Sequence, residues 1–213
     1  MTENHDLEQK DEGLEVARKM AEEEEGIARR PEGVTKWVIP TIGVIWCFFQ
    51  LSIASWWILD TVFIRSIHLG FALLIVYLNY PVYKTTRLGV KFLSIKDRIP
   101  PWDFVIAVIA CFSAVYIAVD YYGVTHRAGV PNTRDIVVGL ILLVLLLEAA
   151  RRVIGPALSV IALLFCIYAF FGPYMPDVIA FKGVSLSRFM GQITMSTEGI
   201  YGIPLDVSAT IVF

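Results

Sequence analysis

The closest group of charged side chains in the apolar part of this sequence is formed by Glu148, Arg151 and Arg152. Their i, i+3 and i+4 spacing places them on one face of a helix, where the carboxylate can pair with either guanidinium. Neighbouring arginines can also bind anionic lipid headgroups, but two arginines are weak evidence for such a site. We therefore favour a local structural clamp at these residues over a substrate site.

The other ionisable side chains near apolar stretches stand singly. His68 lies near the start of an apolar run, which predicts an interfacial histidine rather than a member of a proton relay. Asp103 and Asp120 bound a short apolar run, so we expect one at each membrane interface. Asp206 precedes a final apolar run and is predicted to cap a helix, with an approach to a transport pathway as the alternative.

Combinations of side chains that catalyse reactions are missing from the apolar runs. They contain no pair of facing carboxylates, no histidine cluster and no serine beside a base, and the chain has no glycine-rich phosphate loop. The three cysteines, at spacings that fit neither a disulfide framework nor a zinc site, are interpreted as small hydrophobic residues: Cys47, Cys111 and Cys166. The sequence thus predicts no enzymatic activity, no catalytic residue, no metal site and no cofactor site.

The elements that carry these residues must be helices in a lipid bilayer. Hydrophobic residues make up 56% of the chain, charged residues only 18%, and the mean hydropathy is +0.64, which is typical of membrane proteins. Five runs are uncharged or nearly so over lengths suited to the hydrocarbon core, namely 37–59, 66–83, 104–119, 136–150 and 153–171. The last apolar run, 207–213, predicts the opening of a sixth span in a truncated sequence.

Two further patterns complete the predicted fold. As one helix, residues 136–171 would extend about 54 Å, so we predict two spans joined by a tight turn between Arg152 and Pro156. Residues 185–197 place apolar and polar side chains on opposite helical faces, which predicts a helix in the membrane interface. The predicted fold is all-α: a polytopic transmembrane helical bundle of about five spans, an interfacial helix and the start of a sixth span.

Charge is divided unevenly along the chain. Residues 1–36 carry eleven acidic and six basic side chains, whereas residues 37–213 carry nine acidic and twelve basic ones. The first region lacks the pattern of a cleavable signal and predicts a disordered acidic tail, with a partner-binding segment as the alternative. Lys and Arg near the span ends number ten on the side of the tail and five on the other, so a cytoplasmic N-terminus and a cytoplasmic 84–98 loop are predicted.

Two segments resemble a known family of transporters. They are EAARRVIGP at 148–156, followed by the fifth span, and TEGIYGIPLDVSATIVF at 197–213. Both are similar to the fused permeases of tripartite ATP-independent periplasmic (TRAP) transporters, in which a four-helix small part precedes a twelve-helix large part in one polypeptide. The resemblance covers nearly everything after the acidic tail, which the family pattern does not require.

Composition separates a polar acidic cytoplasmic tail (1–36), and the resemblance implies three further parts: a four-helix small-permease-like membrane domain (37–152), a connecting transmembrane helix (153–176), and the start of a large-permease-like domain with its arm helix (177–213). TRAP permeases are secondary transporters of organic acids, generally carboxylates, in the bacterial cytoplasmic (inner) membrane. They use the sodium gradient and receive substrate from a periplasmic substrate-binding protein. Their substrate and sodium sites belong to the large part, so the resemblance assigns no substrate-binding residue to this chain.

The role that the resemblance implies for this portion is to brace the transport domain. Its expected partners are the lipid bilayer, the remainder of the fused permease and the substrate-binding protein, with no nucleic acid. A stand-alone membrane scaffold or assembly protein is the alternative, because it would equally lack catalytic groups. A polytopic membrane enzyme is the third possibility, and its best catalytic candidates would be Glu148, Asp103 and Asp120.

Overall fold

The structure is a computed structural model that describes residues 28–29, 31, 33–82, 99–127 and 129–212. Most of the predicted acidic tail and all of the basic 84–98 loop lie outside these residues. Across the described part of the chain every regular element is helical, and no strand occurs there. The predicted all-α fold is therefore confirmed.

Eight α-helices follow one another in the described residues: α1 (Val38–Ser55), α2 (Thr61–Asn79), α3 (Pro101–Val119), α4 (Tyr121–His126), α5 (Thr133–Val153), α6 (Pro156–Phe171), α7 (Leu186–Thr194) and α8 (Ile203–Val207). A 3-10 turn, Gly33–Trp37, leads into α1, and another, Gly172–Tyr174, ends α6. A π-helical turn, Ser208–Val212, follows α8.

Four helical stretches within the described residues are long and apolar enough to cross a bilayer: Thr35–Ser55, Thr61–Asn79, Pro101–Val119 and Pro156–Tyr174. The protein is accordingly membrane-embedded through transmembrane helices. The predicted fourth span, 136–150, is the apolar middle of α5, a helix of 21 residues with charged side chains near both ends. Residues 207–212 form the end of α8 and the π-helical turn, so the sixth span stays a prediction.

The ends of the long helices follow from local sequence signals. Asp60 caps α2 by accepting a hydrogen bond from the Val62 amide, so the helix begins earlier than the predicted start of that span at 66. α3 and α6 each begin on a proline, which is tolerated in a first turn because no helical hydrogen bond is lost there. Gly155, with φ of +115°, makes the tight turn between α5 and α6 that the sequence predicts.

The packed centre of the bundle is formed by α2, α3 and α5. α2 packs most extensively against α3, where Ala107, Ala110 and Ala114 have no exposed surface. A Cβ added at Gly70 would lie 3.2 Å from Cys111 Sγ, so small residues let the two backbones approach closely. α5 packs against both α3 and α2 and completes the packed centre.

The remaining helices are covered very unequally. α7 lies directly on α5, where a Cβ at Gly139 would clash with Thr194 Oγ1 at 2.2 Å. In contrast, Gln50 is the only buried residue of α1, and no residue of α6 is buried. Large apolar side chains of both helices, such as Phe48 and Phe165, are mostly exposed, as expected for helices whose outer surface contacts lipid.

Candidate functional site

The three residues predicted to form a clamp lie together at the end of α5. Arg151 donates to Glu148 through both Nε and Nη2, each at 2.7 Å, and Arg152 Nε donates to Glu148 Oε1 at 3.1 Å. Both pairings are those that the i, i+3 and i+4 spacing predicts. Arg152 is buried, whereas the side chains of Glu148 and Arg151 are about one-third exposed.

This group is part of a larger network that the sequence did not reveal. Asp103, in the first turn of α3 as predicted, has no exposed surface and accepts from Arg152 Nη1 at 3.1 Å. Its other carboxylate oxygen accepts from Arg29 Nη2, and the side chains of this pair are also fully buried. Asp103 is therefore a buried bridge between two arginines rather than a free helix-end anchor. We call Arg29, Asp103, Glu148, Arg151 and Arg152 the arginine cluster.

The arginine cluster also completes the end of α2. Arg29 donates from Nη1 to the carbonyls of Tyr77 and Leu78, both at 3.3 Å, and its own amide donates to the Asn79 carbonyl at 2.7 Å. Arg152 reaches the Tyr80 carbonyl at 3.2 Å. Unpaired carbonyls and the negative end of the helix dipole attract cations at this position. The assignment of Arg29 to a solvated tail is wrong for this reason.

A second charged group lies at the start of α5. Arg127 donates to Asp120 at 2.7 Å and to both oxygens of Asp135 at 3.3 Å, while the Tyr116 hydroxyl donates to Asp135 at 2.7 Å. Asp135 also accepts from the backbone amide of Asn132 at 2.8 Å, which closes a capping box on α5. We call Tyr116, Asp120, Arg127, Asn132 and Asp135 the capping cluster.

Electrostatics in the capping cluster favour the charged forms of Asp135 and Arg127. Burial opposes ionisation of Asp135, but hydrogen bonds from Tyr116, the Asn132 amide and Arg127 outweigh it and lower the pKa of Asp135 below its usual value. Hydrogen bonds to Asp120 and then Asp135 raise the pKa of Arg127. The cluster therefore holds an ion pair across the ordinary pH range.

His68 is buried by protein groups that the sequence did not reveal. Because α2 begins at Thr61, His68 lies about 10 Å into the helix, and it is only 3% exposed. Gln50 Nε2 lies 2.9 Å from its Nδ1, and Ser208 Oγ lies 3.3 Å from its Nε2. The edge of the Trp46 ring packs against the imidazole with centroids 4.9 Å apart. These partners come from two distant parts of the chain, and the interfacial position of His68 stays a prediction.

Asp206 does not cap a helix, so that prediction is also wrong. The N-cap of α8 is Gly202, and Asp206 instead accepts from Arg65 Nε at 2.8 Å. Arg65 also donates from Nη1 to the Tyr201 carbonyl at 2.8 Å. Tyr201 is fully buried and its hydroxyl donates to the Ala114 carbonyl at 2.7 Å. These contacts attach residues 201–206 to α2 and α3.

A groove with a volume of about 450 Å³ lies between α3 and α5. Only aliphatic side chains line it: Ile106, Ile109, Leu140, Ile141, Val144 and Leu145. A site for an organic acid needs a few polar groups that fix the carboxylate, and this groove offers none. Among the described residues there is also no group of three or more His, Cys, Asp or Glu side chains that could hold a metal ion.

The sequence did not point to Arg29, Gln50 or Ser208. It pointed to Asp103 and His68 but did not show which side chains they contact. One signal was present for Gln50, which is the only side-chain amide within α1. A buried amide needs a hydrogen-bonding partner, and His68 is the only histidine in α2. Arg29 had no comparable signal because it lies within the polar region 1–36.

Comparisons with known proteins add no relative, since no protein-family model, no curated protein and no solved structure matches the chain.

Proposed function

We propose that this chain is part of the permease of a TRAP-type secondary transporter for organic acids, and that the described portion braces the transport domain. The segments at 148–156 and 197–213 support the family. The observation that supports the bracing role is the use of the buried charges. Within the described part of the chain, Arg29, Asp103, Asp135 and Arg152 are the buried charged residues, and each is paired with protein groups.

Such pairing favours a fixed frame over a moving part. Removing one partner of a buried ion pair is strongly destabilising because the other charge is left unpaired. Any sliding of α3 against α5 would separate Asp103 from Arg152, and any sliding of α2 against α3 would disturb the close contact at Gly70. Two packed helices with these constraints have one preferred arrangement. A brace needs this property.

The proposed location is the bacterial cytoplasmic membrane, with the arginine cluster on the cytoplasmic side and α5 as a further span. α5 would be about 31 Å long, which suits the hydrocarbon core, and the charged residues near its two ends would reach the two interfaces. Single probe cysteines can test the orientation. Ile58→Cys, in the exposed connection between α1 and α2, should react with an impermeant external reagent, and Ser94→Cys, outside the described residues, should not. The opposite pattern would contradict the orientation.

Transport itself is tested on the complete polypeptide. The coding sequence is read past position 213, and the whole protein is purified and placed in proteoliposomes with an inward sodium gradient. Uptake of a panel of labelled carboxylates is measured with and without any substrate-binding protein that a neighbouring gene encodes. We expect uptake that needs both the gradient and the binding protein. Absence of uptake for every carboxylate, in vesicles where the protein is correctly folded, would contradict the proposal.

A stand-alone membrane scaffold or assembly protein is the second candidate. The uncovered surfaces of α1 and α6 favour it, because faces of this kind can also contact other membrane proteins. In that case the coding sequence would contain no further series of apolar spans, and the purified protein would carry other membrane proteins with it. Sodium-dependent uptake by the complete polypeptide would exclude this candidate.

A further inference from the structure

Two side chains of residues 201–210 contribute to the hydrophobic core of the bundle: Tyr201 belongs to it and Leu205 packs against it. α8 has only five residues, and the π-helical turn follows it directly. Ile203 is 78% exposed, and only Tyr201, Gly202 and Ala209 are buried among residues 201–210. A short, irregular stretch of this kind keeps its place through polar contacts, because its backbone groups need partners in a membrane.

The first polar contact joins α2 to one residue before α8 and to one residue within it. Arg65 lies one turn into α2, and its side chain is 13% exposed. It donates through Nε to the Asp206 carboxylate and through Nη1 to the Tyr201 carbonyl, both at 2.8 Å. The Asp206 side chain is 33% exposed, so water partly screens the pair, but hydrogen bonds between charged groups are stronger than those between neutral groups. One guanidinium therefore fixes two points of the segment relative to α2.

The second contact lies three residues further along the same helix. His68 stands between α1 and the π-helical turn, with Gln50 at 2.9 Å from Nδ1 and Ser208 at 3.3 Å from Nε2. Since the Gln50 amide nitrogen donates, Nδ1 accepts, and the proton on Nε2 is directed to the Ser208 hydroxyl. Gln50 also donates to the Ala209 carbonyl at 3.3 Å, which supplies a partner to irregular backbone.

We infer that these two contacts form a joint, made of Gln50, Arg65, His68, Asp206 and Ser208, that positions residues 201–212 on α1 and α2. The inference rests on the proposed function in one respect: the segment is taken as the beginning of the part that transports. Arg65 and His68 are then positioning residues, because they touch neither substrate nor ion and act by fixing the backbone that leads into the moving part. The joint is thus the contact through which the bracing helices α1 and α2 hold residues 201–212.

Amide hydrogen exchange on the complete polypeptide in lipid nanodiscs tests the joint without any transport assay. Arg65→Gln and His68→Phe should each speed exchange of amides 203–210 by about tenfold or more, with α2 and α3 unchanged. The charge swap, Arg65→Asp with Asp206→Arg, should restore most of the protection. Arg188→Gln, at an exposed arginine of α7, is the matched control. Exchange in Arg65→Gln equal to that in the control would overturn the joint.

Uptake by the same variants tests the role in transport. Arg65→Gln should lower the maximal uptake rate several-fold with an unchanged KM for the substrate, and the charge swap should recover it. Full uptake by Arg65→Gln, together with faster exchange at 203–210, would overturn the positioning role. If the wild-type polypeptide does not transport, the proposed function fails, while the exchange measurement still decides whether the joint exists.

Discussion

The arginine cluster and the capping cluster both pair arginines with carboxylates but differ in how far their members lie apart in the chain. Asp103, Arg29 and Arg152 come from three separate regions and their side chains are almost wholly shielded from solvent. In the capping cluster, Asp120, Arg127 and Asp135 lie within sixteen positions. The side chains of Asp120 and Arg127 are each more than one-third exposed. The first cluster therefore holds helices together, and the second determines where one helix starts.

The largest effect in this comparison is expected from Asp103→Asn. The substitution keeps the shape of the side chain but leaves two buried guanidiniums with less negative charge around them. We expect a loss of about 3–5 kcal/mol in the free energy of unfolding. Denaturant titration of the purified protein in mild detergent measures it.

An apolar replacement of the pair is the control for that prediction. Asp103→Leu combined with Arg29→Met removes the fully buried pair and leaves Arg152 with Glu148 as its carboxylate partner. The double variant should be more stable than Asp103→Asn. A stability of Asp103→Asn equal to that of the wild type would show that the arginine cluster does not hold the helices together.

An intermediate effect is expected from Asp135→Asn. Asp135 is 1% exposed and closes the capping box of α5, so its replacement should cost about 1–2 kcal/mol. The same titration measures this loss. A loss as large as that of Asp103→Asn would remove the contrast between the two clusters.

Acidification should act through the same carboxylate. The pKa of Asp135 is lowered in the folded protein, so its contribution to stability is present above its unfolded pKa and is lost as the pH falls through the folded value. Thermal midpoints of the wild type should fall on acidification below about pH 4. In Asp135→Asn this fall should be smaller. Parallel pH profiles of the two proteins would contradict the assignment.

The smallest effect is expected from Asp120→Asn. Its pair with Arg127 is exposed to water, and exposed ion pairs contribute little because solvent and salt screen them. The thermal midpoint should shift less than in Asp135→Asn, and the shift should shrink further at high salt. A large shift that salt does not change would mean that this pair is shielded from solvent.

The two clusters also mark how far the sequence could predict the structure. The clamp at Glu148 and the break before Pro156 were predictable, because i, i+4 spacing and proline act within one or two turns. The membrane helices were predictable from long apolar runs for the same local reason. The predicted start of the second span at 66 was too late, because Arg65 was treated as the charge that bounds the span. In the structure Arg65 lies within α2 and pairs with the distant Asp206.

Contacts between distant segments could not be derived from these rules. Arg29 lies in a polar stretch, and nothing near it in the sequence shows that the end of α2 needs a donor. His68 is buried because Gln50 and Ser208 meet it from opposite sides. Such partners are selected by tertiary packing, where one residue satisfies groups that are far away in sequence.

A disulfide staple across α2 and α3 tests the bracing role most directly. A Cβ at position 70 would lie 3.2 Å from Cys111 Sγ and 3.0 Å from Val115 Cγ2, so Gly70→Cys places a thiol beside the natural cysteine once the Val115 side chain shifts. The complete polypeptide, oxidised and then reduced in the same proteoliposomes, is compared in sodium-driven carboxylate uptake, with Gly70→Ala as the control. We predict equal uptake rates in both states, because the frame does not move. Uptake that stops on oxidation and returns on reduction would contradict a static brace.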